Sequence, residues 1–79
     1  MNESRKITVA QIGVGYWGPN LLRNLITAKE CLVKTVADAS PERRKYVKDL
    51  YPHVETVDRP EAIFSNPGID AVVIATPVA

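Results

Sequence analysis

Cysteine is almost absent from this chain: Cys31 stands alone among 79 residues. A single thiol can form no internal disulfide and no cysteine-based metal site, and such usage fits a reducing compartment. Neither sign of charge dominates, since ten basic and nine acidic residues leave a formal net charge of +1. That balance gives no global reason to expect nucleic acid or an anionic membrane as a partner. No apolar run approaches the ~18 residues of a membrane span. A charged start, Met1 to Lys6, does precede apolar residues as in a leader peptide, but Thr8, Gln11 and the following glycines break the run. The expectation is a soluble, cytoplasmic protein. Internal repeats and low-complexity segments are also missing.

What is present is ordinary globular composition, 46% hydrophobic and 24% charged, which excludes a disordered tail. The length suits one small domain or a piece of a larger one, burying only about two-thirds or less of its unfolded surface. Three short β-branched runs, Ile7 to Ile12, Leu32 to Ala37 and Ala71 to Ala75, are nearly continuous in apolar character. Such runs predict strands covered on both faces, as in a parallel sheet. Val54 to Val57 predicts a shorter outer strand.

Helical signals lie between these runs. A helix is expected from about Trp17 to Ala28, burying Leu21, Leu22, Leu25 and Ile26 on one side. Ser40-Pro41-Glu42 opens another: a cap, a first-turn proline and an acid at the positive end of the dipole. Asp58, Pro60 and Glu61 repeat the pattern, with Glu61 at capping-box spacing from Asp58. Asn66-Pro67-Gly68 is turn chemistry. The predicted order is β-α-β-α-β-α-β with short local connections. Right-handed crossovers then give an α/β fold with a parallel sheet in order 3-2-1-4.

The chemistry is concentrated where the first strand ends. Gly13-Val14-Gly15-Tyr16-Trp17-Gly18 matches G-x-G-x-x-G, follows a strand and opens a helix. Gly13 permits the tight turn, Gly15 lets a pyrophosphate approach the backbone, and Gly18 lets helix and strand pack closely. The amides of the helix's first turn would face the phosphates. Asp38, twenty positions after Gly18 at the end of the second strand, would accept hydrogen bonds from the adenosine ribose hydroxyls. It would repel a 2′-phosphate, so NAD is preferred to NADP. The competing role for Asp38, capping the next helix, already belongs to Ser40.

Arg43, Arg44 and Lys45 read as a solvated helix face, except that Arg43 could swing to the adenosine end and admit NADP. Thr76 and Pro77 close the fourth strand beside the switch point; Thr76 either contacts a cofactor ribose or simply precedes the strand's terminating proline. Trp17, beside Tyr16, packs under the loop or shields the cofactor. Cys31 reads as a small core residue and His53 as surface. No metal site is expected. These features together describe the first four strands of a Rossmann-type dinucleotide-binding domain.

Three ordered blocks carry a more specific resemblance. Gly13 through Asn20, Val36-Ala37-Asp38, and Asp70 through Pro77 look like the Gfo/Idh/MocA oxidoreductases, relatives of glucose-fructose oxidoreductase and inositol dehydrogenase. The resemblance implies NAD(P)-dependent oxidation or reduction at a sugar, cyclitol or nucleotide-sugar CH–OH carbon, in a homo-oligomeric parent. Carried over to this chain, the loop Gly13, Gly15, Tyr16, Trp17 and Gly18 would hold pyrophosphate, with Asp38 on ribose. Thr76 and Pro77 would line the nicotinamide side. Family members draw a catalytic lysine from a Glu-Lys-Pro motif after the fifth strand, and further groups from a C-terminal domain. Neither is found here, so no catalytic residue is assigned.

The expectation is therefore that residues 1–79 form the N-terminal part of the domain, incomplete at its C-terminus, without a substrate domain and inactive alone. Two other functions use the same site: glycoside cleavage by transient oxidation with bound NAD, and non-catalytic nucleotide sensing. A methyltransferase fits less well, because Ile12 stands where its adenosyl-methionine loop usually has an acid.

Overall fold

The computed structural model describes residues 6–15 and 18–75. Four parallel strands, β1 (Ile7–Ile12), β2 (Cys31–Ala37), β3 (Glu55–Val57) and β4 (Ala71–Ile74), lie in the order β3-β2-β1-β4. The helices are α1 (Gly18–Thr27), α2 (Pro41–Leu50) and the single turn α3 (Glu61–Phe64). The expected topology and strand order are those observed.

Two apolar clusters sandwich the sheet. Leu22 of α1 and Val47 of α2 pack with Val14, Val33, Val36 and Val54 on one side; Leu25, Ile26 and Tyr51 flank them. Leu21 is half-buried outside that cluster, so the helix buries a narrower face than its leucines suggest. On the other side Ile63 of α3 packs with Ala10 and Ala37, flanked by Ile12, Val57, Ile69 and Val72. Val33 and Val36 enter the same cluster although three residues apart. The ladder explains this: Val9 pairs with Val33 and Ala10 with Thr35, leaving Lys34 as an extra residue that resets the alternation.

The strand and helix ends depart slightly from expectation, each for a visible reason. Val54 stays out of β3 because its N–H donates to the Tyr51 carbonyl in the preceding turn, at 2.9 Å. Cys31 joins β2 by pairing with Ile7, and it is half-buried rather than core. β4 is not buried on both faces: its end residues are exposed, Ile74 by 66%. It pairs with β1 on one edge, and the one-turn α3 covers little of it. Ser40 does cap α2, its Oγ accepting the Arg43 N–H at 3.3 Å, with Pro41 and Glu42 in the first turn. The capping box at Asp58 does not form. Pro60 itself takes the cap position in helical conformation, and no side chain bonds there. Asp58 lies two residues too early to reach the first turn.

Candidate functional site

The site is built where β1 and β2 end side by side. The Gly13 N–H donates to the Ala37 carbonyl at 2.7 Å, which ties the start of the glycine loop to the neighbouring strand. Gly13 then turns with φ of 92°, a left-handed conformation that side chains resist. Val14 follows with its side chain in the core. Gly18 opens α1, and a Cβ there would stand 3.1 Å from the Gly13 carbonyl oxygen and 3.4 Å from Gln11 Nε2. Gly15 differs from Gly18: among the described residues a Cβ on it would meet nothing within 4 Å. Three glycines thus answer three demands, a turn at Gly13, open approach at Gly15 and close packing at Gly18.

Asp38 is held at the heart of this arrangement. Its Oδ2 accepts the Val14 N–H at 2.8 Å and its Oδ1 accepts the Ser40 N–H at 2.9 Å. The carboxylate therefore braces both the glycine loop and the turn into α2, a structural role that Ser40 does not take from it. Each oxygen keeps further accepting capacity for a ligand hydroxyl. Asp38 also donates its N–H to the Val57 carbonyl at 3.0 Å, fixing it against β3.

The basic run on α2 divides three ways. Arg43 Nη1 reaches across to donate to the Val14 carbonyl of the glycine loop at 3.2 Å. Arg44 is half-buried and turned to the backbone: its Nη1 donates to the Asp38 and Ala39 carbonyls at 2.8 and 3.1 Å. Lys45 does face solvent, paired with Asp49 at 2.8 Å. That hydrogen bond, and then the Asp49 charge, raise the lysine's pKa above its ordinary value.

Between these groups lies a cavity of about 410 Å³, whose walls include Gly13, Gly15, Asp38, Arg43, Asp58 and Pro60. It thus brings together four of the residues expected to bind cofactor, and Gly18 lies directly behind the loop. Tyr16, Trp17, Thr76 and Pro77 lie outside the described residues. Asp58 and Pro60 are additions; the sequence signal for them was position alone, directly after the third strand. Gln11 is a second addition. It is fully buried, and its Nε2 donates to the Gly13 and Gly18 carbonyls at 2.9 and 3.2 Å. Its signal is an amide inside an apolar strand two residues before a glycine turn. Among the described residues no cluster of side chains could hold a metal ion, and no helix is long and apolar enough to cross a membrane.

The cavity carries two loop glycines, a carboxylate and a guanidinium among its lining residues. The α1 N-terminus that follows the loop has no acidic residue in its first turn to oppose the helix dipole, which favours negative charge.

Comparison with known proteins agrees. The model of an oxidoreductase family with an NAD-binding Rossmann fold, Gfo/Idh/MocA, matches residues 7–79. Among solved structures, an oxidoreductase from Agrobacterium radiobacter in complex with NAD+, L-tartaric acid and magnesium is 28% identical with a TM-score of 0.84. The match covers 94% of this chain and 22% of that one. An NAD-binding protein from Listeria innocua is 26% identical at a TM-score of 0.80, over 92% of this chain and 21% of its own. The scyllo-inositol dehydrogenase of Lactobacillus casei, with bound NAD(H) and scyllo-inositol, shares the fold at 23% identity and a TM-score of 0.81. That match covers 92% of this chain and 22% of the dehydrogenase. The chain thus spans about a fifth of the length of the structures it matches. No curated protein sequence matches it.

Proposed function

The chain belongs to the Gfo/Idh/MocA family of oxidoreductases with an NAD-binding Rossmann fold, and from that premise we propose a specific role. It is the cofactor-holding part of a dehydrogenase acting on a CH–OH group of a sugar, cyclitol or nucleotide sugar. The observation that carries the proposal is that Gly15, with open space where its Cβ would be among the described residues, and the fixed carboxylate of Asp38 line one cavity.

The residues fit the cofactor part by part. A pyrophosphate needs backbone approach without a side chain, and among the described residues nothing lies within 4 Å of where a Gly15 Cβ would be. A ribose diol needs an oriented acceptor, and Asp38 is oriented by two backbone N–H groups. An adenine needs a slot, and Pro60 and Ile12 supply apolar walls. When bound, the nicotinamide supplies hydride transfer. The chain's own contribution is to bind and orient, and no proton-transfer role falls on any of its residues.

NAD is the preferred cofactor in this reading, because a 2′-phosphate would bring negative charge to Asp38. Arg43 is the residue that would admit NADP. The test is titration of the purified protein with NADH and NADPH, followed by polyol-dependent reduction of NAD+ in the protein as isolated from its host. Tight NADH binding that Gly15→Val abolishes supports the proposal. Binding that survives Gly15→Val overturns it.

A further inference from the structure

We infer that Gln11 is a positioning residue for the pyrophosphate seat, its buried amide joining the two ends of the glycine loop from the sheet side. The inference rests on the cofactor-binding reading above and extends it to a residue that the glycine motif does not contain.

The geometry is specific. Nε2 donates to the Gly13 carbonyl at 2.9 Å and to the Gly18 carbonyl at 3.2 Å, residues that begin and end the loop. Both partners are carbonyl oxygens, which only accept, so the amide can face them only with its nitrogen. In a trans peptide the carbonyl and the N–H point to opposite sides. With the Gly13 carbonyl drawn to Gln11, the Val14 N–H of the same peptide points away, and there it meets Asp38 Oδ2 at 2.8 Å. One peptide plane of the loop is thus fixed from β1 on one side and from the end of β2 on the other. The next carbonyl, that of Val14, is held by Arg43. Gly18 completes the fit, since a Cβ there would press within 3.4 Å of the same Nε2.

Stability alone does not account for this residue. Gln11 is 0% exposed, and its Oε1 has no hydrogen-bond partner among the described residues. A buried acceptor left unpaired is costly, and an apolar side chain of similar size would only move that cost from Oε1 to the buried Gly13 carbonyl. What an apolar side chain cannot do is hold two loop carbonyls at once. Gln11 therefore serves the shape of the loop.

The experiment measures ADP-ribose and adenosine affinity, with thermal stability, for the purified protein and for Gln11→Leu. Adenosine reports the slot by Asp38, and ADP-ribose adds the pyrophosphate. The expected result is an ADP-ribose Kd raised about tenfold, the scale of one lost hydrogen bond. Adenosine affinity stays the same, while the melting temperature falls modestly because the buried Gly13 carbonyl loses its donor. Gln11→Met, which keeps the unbranched chain, is read the same way if the leucine variant does not fold. Equal weakening of both ligands would make Gln11 a purely structural residue and overturn the inference. Unchanged ADP-ribose affinity would overturn it as well. Gly15→Val is the control: if it leaves ADP-ribose binding intact, the loop is not the seat and the parent reading fails, whatever Gln11 does.

Discussion

Replacing Asp38 with alanine separates what this carboxylate does for the fold from what it does for the ligand. Two hydrogen bonds are lost, from the Val14 N–H at 2.8 Å and the Ser40 N–H at 2.9 Å. Hydrogen bonds to a charged acceptor contribute about 1.5–3 kcal/mol each. They do not count equally here. Val14 is fully buried, so its orphaned N–H finds no water, whereas Ser40 is half-exposed and its N–H can be rehydrated. One bond counted in full and one largely replaced gives a loss of about 2 kcal/mol. A domain of this length has a total stability of about 4–12 kcal/mol, so urea denaturation would read the change easily.

Ligand affinity should change in a different pattern. NADH loses its ribose acceptor, and its Kd should rise about tenfold for each 1.4 kcal/mol withdrawn. NADPH loses the same acceptor but is also freed from a neighbouring negative charge, so the preference should move toward NADPH. Asp38→Asn sharpens the comparison, because its oxygen can still accept the Val14 N–H. It should keep more stability than alanine while shifting the preference in the same direction. A stability loss below about 0.5 kcal/mol, the range of an ordinary surface change, would show that the carboxylate does not brace the loop. An unchanged NADH-to-NADPH ratio would show that it does not face the ribose.

Three further outcomes follow from the same geometry. Gly15→Val should leave stability within about 0.5 kcal/mol, since its Cβ meets nothing within 4 Å among the described residues, while NADH affinity drops below detection in a fluorescence titration. Gly18→Ala should do the reverse in part: a Cβ 3.1 Å from the Gly13 carbonyl forces the backbone apart and costs about 1 kcal/mol or more by denaturation. On the proposed reading Arg43→Ala should weaken NADPH more than NADH in parallel titrations, because the guanidinium held on Val14 is a cation lining the cavity.

The fold was readable in the sequence because parallel strands and helices write different periods. Ile7 to Ile12 and the alternation of short apolar runs with capped helical segments allow little but a β-α-β sequence. The order 3-2-1-4 follows from handedness and connection length. What could not be read are the departures from period. Lys34 is one: an extra residue in β2 looks like any other strand lysine, yet it moves Val33 and Val36 into one core. Asp58 is another. It has capping-box spacing to Glu61, but spacing does not say where a helix starts, and Pro60 moves that start along the chain. The aspartate then faces the cavity.

The site was legible to the extent that its residues are defined by what they lack. Glycine at three positions signals backbone geometry directly, and the structure gives each one a separate steric reason. Residues that act through other residues leave no such signal. Arg44 looks like a solvated charge, and only the folded turn shows its guanidinium on the Asp38 and Ala39 carbonyls. Gln11 looks like a flaw in an apolar strand. Yet these two, with Asp38 and Arg43, hold the loop and the adjoining turn before any ligand arrives. The peptide between Gly13 and Val14, held in this way, loses little freedom on binding, so its ordering cost falls on folding instead. On the inference drawn above, a buried amide whose Oε1 has no partner among the described residues is retained next to this turn because it holds that peptide.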